Sequence, residues 1–390
     1  MLYLNGVCRV KGAGYPVVAL CGTGDPKPGQ GVGLSVNDHY RNANWIATEG
    51  RDFVYHGDLA PDEPLTREAY LRTQKRAEAM GILDGIAFHS RYLDDRPASM
   101  SKTDFMYDLS VATDYAVGFV RDRYCARVPL DRARMEAAVD YLNAVNAPYR
   151  SGQQVFNWNV LRNNCTHLAH NILAMAGVWP VWPTDRPLLI SAFDFPVPKN
   201  EFVNLMRRTN DLPIADPDAL YDDASARTVI LRQSWIPTRP GGLAEAEPAV
   251  RRNDVYNTKL RLIFYDEPTF GHYQEHFDAI FKDPRYTSLR ANLNSFAALY
   301  DAILARRPEI GPSVMAGLDP AICRRASLDR VIAGSSPAMT VGQRCDLNGN
   351  GSNADGRAMF YLKYHATIAA EKAKLDAARR VLSAVPGQRS

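Results

Sequence analysis

The stretch "LRNNCTHLAHNILAMAG", residues 161–177, sets one cysteine and two histidines in a segment otherwise patterned as an amphipathic helix. A cysteine thiolate is a nucleophile toward acyl carbons, and that chemistry needs an imidazole to take up and return a proton. Asn163 or Asn164 suits an N-cap and Gly177 suits the position just past the helix end. Leu168, Ile172, Met175 and Ala176 fall at i, i+4, i+7 and i+8 of one apolar face. The pattern predicts a helix opening at Cys165, with the sulfur directed toward the packed face. In the first turn the unpaired backbone N–H groups and the helix dipole favour a thiolate. A buried, inert helix cysteine is the competing reading of the same position.

The base must come from elsewhere. His167 lies two residues past Cys165, about 200° around the helix, which aims its ring away from the thiol. His170 is no better placed, and both are read as surface or hydrogen-bonding histidines. Their i, i+3 spacing lacks the further ligands of a metal site. Upstream, "HYRNANWIATEGRDFVYHG" places His39 ahead of one strand-like run and His56 at the end of the next, with "EGRD" as the turn of a hairpin.

Histidines on a hairpin, followed much later by Asn-Cys opening a helix, resemble the circularly permuted branch of the NlpC-like papain-fold superfamily, which includes lecithin-retinol acyltransferase-like proteins. The resemblance covers residues 15–180. It implies a cysteine hydrolase or acyltransferase with Cys165 as nucleophile, His39 as base and His56 as the third, orienting member. The substrate would be an amide or ester whose acyl group belongs to a peptide, a small molecule or a lipid, and no cofactor or metal is implied. In the family the histidine leads directly into an apolar strand, whereas here "YRNAN" follows His39, and the apolar "VGLSV" is preceded by Gln30 and Gly31. Either His39 serves from an irregular strand, or the usual base position is lost and the chain is an inactive papain-like binding or scaffold module.

Two metal readings compete. "HYQEH", residues 272–276, matches the inverted zinc-peptidase pattern, with His272 and His276 as ligands and Glu275 as base. Its third ligand would have to be an acid such as Glu309 or Glu371, neither of which lies in a recognisable partner motif. "DLNGNGSNADGR", residues 346–357, fits an EF-type calcium loop at Asp346, Asn348, Asn350 and Gly351 but carries Arg357 where the loop needs Glu, so it reads as a polar turn. The glycine-rich "GTGDPKPGQGVG" lacks GK[ST] and opens no helix, so it is read as a turn-rich connection that cradles no phosphate.

The elements that would position these residues follow from the texture of the chain. Short strand-like runs between turns ("YPVVAL", "VGLSV", "NWIAT", "DFVYH") predict an antiparallel sheet over residues 15–56. Helical patterns follow at 66–83, 108–124 and 130–145, then the Cys165 helix. A proline-rich passage ends near residue 200. "WIPTRPGGLAEAEPAVRRND" at 235–254 reads as a linker, followed by a strand, "TKLRLIFYD", and helices at 271–308. Strands precede helices without βαβ alternation, which makes the class α+β. The expected architecture is an antiparallel sheet packed on helices, permuted and papain-like. Its parts are a papain-like domain over 1–200, a mostly helical extension over 201–310, an irregular insertion over 311–345 and a C-terminal helix over 346–390. The insertion is marked by "VMAGLDPAI" recurring as "VIAGSSPAM" 17 residues later, like the translated arms of a bacterial interspersed palindromic repeat.

Six scattered cysteines, with no CxxC pair, argue against a disulfide scaffold or structural zinc, and reduced thiols are expected. A net charge of +3 from 46 basic and 43 acidic residues carries no nucleic-acid footprint. No run approaches the length of a membrane span, so no integral membrane segment is expected and the chain is read as soluble. The amino terminus lacks the continuous apolar core of a signal peptide, which places the chain in the cytoplasm as written, or in the cell envelope if an upstream segment precedes it.

Overall fold

The computed structural model describes residues 2–24, 26–111, 122–182, 198–249, 252–255, 273–306 and 353–384. The chain is α+β and divides into two compact units, each discontinuous in sequence: Met1–Asn210 with Gly241–Ser288, and Asp211–Pro240 with Leu289–Ser390.

In the first unit, β1 (Leu2–Asn5), β4 (Gly31–Ser35) and β5 (Ile46–Glu49) form an antiparallel sheet in the order β1-β4-β5, and β2 (Val7–Arg9) and β3 (Val18–Leu20) form a separate hairpin. Alternation decides what each face touches. Val32 and Leu34 on β4 and Ala47 on β5, with the adjoining Trp45, pack against Ala138 and Leu142 of α4 (Arg132–Arg150) and Leu168 and Ile172 of α5 (Cys165–Met175). The intervening Gly33 faces α1 (Arg51–His56). A Cβ on Gly33 would sit 2.7 Å from Val54 Cγ1, so the glycine lets the helix lie against the sheet. A Cβ on Gly31 would meet Leu4 O at 2.4 Å. These two glycines of the glycine-rich stretch thus serve strand packing.

α2 (Arg67–Ala79) is capped by Thr66, whose side chain accepts from Ala69 N, and α4 by Asp131, whose side chain accepts from Arg134 N. α3 (Lys102–Val111) packs on α2, and Tyr70 and Tyr107 enter the core cluster of Tyr40, Ile46, Phe53, Leu65, Phe88 and Phe156. α6 (Pro198–Asn210) packs on α5 and on β6 (Arg123–Arg127), which pairs antiparallel with β7 (Leu243–Glu247).

The second unit is helical. α7 (Pro217–Asp222) and α8 (Ala224–Gln233) pack with α11 (Leu289–Ala305) and α12 (Asn353–Ala384) around Leu220, Ile230, Phe296, Tyr300, Phe360 and Tyr364. α9 (Tyr273–Lys282) and α10 (Pro284–Thr287) belong to the first unit. Among the described residues no helix is long and apolar enough to cross a membrane.

Five expectations are corrected. "DFVYH" is helical, so no hairpin joins His39 to His56. Phe53, Val54 and Tyr55 are buried in succession because a short helix wedged between sheet and core covers three neighbouring directions at once. The expected helix at 108–124 ends within β6, whose partner β7 lies in the passage read as a linker. Cys8 and Cys21 form a disulfide: the β2–β3 register sets Cys8 opposite Ala19 and brings the two Cα atoms to 5.0 Å, within bridging range. Cys165, expected to point into the packed face, is exposed. Helical side chains lean toward the N-terminus, and at the first helical residue that direction leaves the packed surface. The strand read at 258–266, the duplicated segment at 312–343, His272, and Asp346 to Gly351 lie outside the described residues. Arg357, the misfit of the calcium reading, stands on α12 and pairs with Asp218 at 2.7 Å.

Candidate active site

The start of α5 is built by Asn164. Its side chain accepts from Thr166 N at 2.8 Å and His167 N at 3.1 Å, and its own backbone N–H donates to His167 Nδ1 at 3.3 Å. This is a reciprocal cap with histidine at the third position, where glutamate or glutamine is usual. His167 Nε2 donates to Leu161 O at 3.0 Å, which fixes the neutral tautomer with its lone pair on Nδ1. Burial pushes the His167 pKa down to about 4, with the nearby His170 adding to the shift and the Leu161 bond opposing it.

One turn on, His170 anchors α5 to α6. Its Nδ1 lies 3.0 Å from Glu201 Oε1 and its Nε2 lies 3.0 Å from Pro180 O. The ring stacks on Trp179 at 4.3 Å, and the Trp179 indole donates to His170 O at 3.0 Å. Both histidines are buried and hydrogen-bonded, and neither presents a free nitrogen to Cys165. The helix ends at Gly177, whose φ of 80° is the left-handed conformation expected past a helix end.

Cys165 itself is the first helical residue. The residue is exposed at the capped end of α5, and among the described residues neither its thiol nor its backbone N–H makes a hydrogen bond. One residue thus places both a thiol and a backbone N–H at the start of the helix.

His39 sits in a turn between β4 and β5, 8% exposed. Phe88 stacks on its ring at 5.6 Å and Tyr92 meets it edge-on at 4.3 Å. Tyr92 is held in turn by donating to Asp38. Among the described residues His39 Nδ1 is buried without a hydrogen-bond partner, and burial lowers the pKa of the ring, which favours the neutral imidazole. His56 is exposed at the end of α1. Among the described residues no hydrogen bond connects Cys165, His39 and His56.

Backbone and amide contacts tie the two loops together instead. Phe156 N donates to Arg41 O at 2.8 Å, His89 Nε2 donates to Phe156 O at 2.9 Å, and Asn44 Nδ2 donates to Asn163 Oδ1 at 3.0 Å. The His39 loop is thus fastened to the segment leading into Cys165. Asn146 extends the fastening, with its Oδ1 accepting from Asn44 N at 2.8 Å and its Nδ2 donating to Trp45 O at 3.0 Å. Burial raises the Tyr149 pKa, while the amides of Asn163 and Asn44 beside it act in the opposite sense. Sequence reasoning missed Asn44, Asn146, Asn163 as a bridge, Tyr149 and His89. The only trace of them is the density of asparagine in "RNAN" and "RNN".

A cleft of about 370 Å³ elsewhere in this unit is lined by Tyr124, Pro198, Lys199, Phe202, Gln274 and Phe277 and contains none of the three predicted site residues. In the zinc-peptidase pattern, His276 lies 3.5 Å from an Arg207 guanidinium nitrogen, a cationic neighbour unfavourable to metal binding. Among the described residues no cluster of three or more His, Cys, Asp or Glu could hold a metal ion. Compared with known proteins, the chain matches no protein-family model, no curated sequence and no solved structure.

Proposed function

We propose that the chain is a cysteine-dependent acyl-transfer enzyme, a hydrolase or acyltransferase of the permuted NlpC-like papain kind, with Cys165 as nucleophile. The observation that carries this reading is the exposed Cys165 at the capped start of an 11-residue helix, with neither its thiol nor its N–H hydrogen-bonded among the described residues. In the reaction the Cys165 sulfur attacks the acyl carbon, a thioester bond forms, and the bond to the leaving group breaks as that group takes the thiol proton. Water or a second acceptor then releases the acyl group. The Cys165 N–H, with its share of the helix dipole, faces the developing oxyanion. His39 is the proton carrier in this reading, supported by its neutral state and by the hydrogen bonds that fasten its loop to the Cys165 segment. Among the described residues no hydrogen bond joins His56 to His39, so the third-member role of His56 has no hydrogen bond behind it.

A second reading, a papain-like binding module without catalysis, is favoured by one observation: no imidazole is hydrogen-bonded to the Cys165 thiol among the described residues. The two are separated by alkylating the native chain with limiting iodoacetamide across pH 5–9 and mapping the peptides. The enzyme reading expects Cys165 to be modified fastest, with a pH profile that changes in His39→Gln. The binding reading expects an ordinary thiol profile that His39→Gln leaves unchanged.

A further inference from the structure

Ten large apolar side chains are exposed among the described residues, and three of them, Val155, Trp158 and Val160, fall within six residues on the segment leading into Cys165. Scattered exposed apolar residues need no explanation, but a cluster does. The segment is held firmly from beneath. Phe156 is fully buried against Tyr149, with both its N–H and its carbonyl hydrogen-bonded. Residues 159–163 close a turn in which Asn163 N donates to Asn159 O at 2.8 Å and Leu161 N donates to Asn159 Oδ1 at 2.9 Å. Val155, at 46% exposed, Trp158, at 38%, and Val160, at 43%, are therefore presented by an anchored loop.

Along this stretch of the chain the charge has one sign. Between Asp140 and Asp185 the chain contains no Asp or Glu, and Arg150 and Arg162 on either side of the apolar cluster are exposed. An indole and two aliphatic side chains between guanidinium groups match an anionic lipid–water interface. There indole rings settle at headgroup depth and each arginine near the surface adds attraction to acidic lipid.

We propose that the 155–162 loop is a membrane-contact surface that seats the Cys165 face of the chain on anionic lipid, as a peripheral contact without any spanning segment. The contact does not depend on the thiol chemistry. Cys165→Ser is expected to bind vesicles as the wild type does, which keeps failure of the acyl-transfer reading distinct from failure of this one.

The test uses the full chain with large unilamellar vesicles of phosphatidylcholine, alone or with phosphatidylglycerol, read by co-sedimentation and tryptophan emission. Trp158 is the exposed tryptophan of the five, so its entry into the interface shifts the emission to the blue. Wild type is expected to sediment with phosphatidylglycerol-containing vesicles and to be released by salt. The triple variant Val155→Ser, Trp158→Ser, Val160→Ser is expected to lose at least about tenfold in partitioning, since each side chain contributes apolar area to the contact. Arg162→Gln is expected to lose about fivefold on anionic vesicles only. All three side chains are exposed, so an unchanged thermal melt of the triple variant verifies its fold. Wild type that ignores anionic vesicles, or a triple variant that binds as well as wild type, overturns the proposal. A patch whose removal changes only the oligomeric state in solution would show a protein interface instead, and also overturns it.

Discussion

Acidification is expected to loosen the start of the Cys165 helix through His167. The folded chain holds this ring neutral down to a pKa of about 4, whereas the ordinary value is 6.5. Unfolding therefore takes up a proton between those two values. The stability owed to the neutral ring is fully present above the higher value and is lost as pH falls toward the lower one. At pH 5 an unfolded histidine is mostly protonated while the folded His167 is mostly neutral, a difference worth about 2 kcal/mol, reduced toward about 1 kcal/mol by solvent screening at the helix end. Structurally, protonation removes the Nδ1 lone pair that accepts the Asn164 N–H at 3.3 Å, so the reciprocal cap opens. Glutamine can keep the cap without titrating, which makes His167→Gln the control. The assay is hydrogen exchange, corrected for intrinsic pH dependence, on the peptide spanning residues 160–172 in wild type and variant at pH 7 and pH 5. Wild type is expected to lose about five- to thirtyfold in protection between the two, and the variant much less. Equal losses in both, or an imidazole that titrates by NMR near its ordinary value, would refute the reasoning.

Three further outcomes follow from packing. Reducing the Cys8–Cys21 bridge, or replacing both residues by serine, is expected to cost about 3 kcal/mol, measured by urea unfolding with and without reductant, because the bridge closes a 13-residue separation in the unfolded chain. Gly33→Ala is expected to destabilise the first unit by about 1–3 kcal/mol in thermal melts, since its Cβ would lie 2.7 Å from Val54 on α1. Glu201→Leu is expected to cost about 1–3 kcal/mol by leaving His170 Nδ1 without its acceptor inside the α5–α6 joint, whereas Glu201→Gln, which keeps an acceptor oxygen, should cost less.

Much of the fold was legible because its signals are local. Thr66, Asp131 and Asn164 cap helices as their side-chain chemistry predicts, and Leu168 and Ile172 face the sheet as their spacing predicts. The misread elements depend on partners distant in sequence. "DFVYH" carries three successive buried residues, a pattern that fits a buried strand as well as a short helix. Gly33, facing Val54, decides between them. The disulfide depends on the β2–β3 register, which the spacing of Cys8 and Cys21 alone does not reveal. β7 reads as linker because Pro, Gly and alternating Ala/Glu hide a strand whose partner, β6, lies far upstream. At the candidate site the Cys165 helix was visible, while the bonds joining the His39 loop to it run through asparagine amides and backbone groups that no spacing rule picks out. The burial of His167 and His170 likewise needs Trp179, Trp182 and Glu201 in place around them.

The most direct test of the central claim is to trap the acyl-enzyme. The native chain is incubated with an activated ester, quenched in acid and digested, and the acyl mass is located on the peptides. A stoichiometric thioester is expected on the peptide containing Cys165, cleaved by hydroxylamine, abolished in Cys165→Ser and slowed in His39→Gln. Acylation that persists in Cys165→Ser, or a Cys165 thiol that acquires acyl groups no faster than a free cysteine peptide, would contradict it.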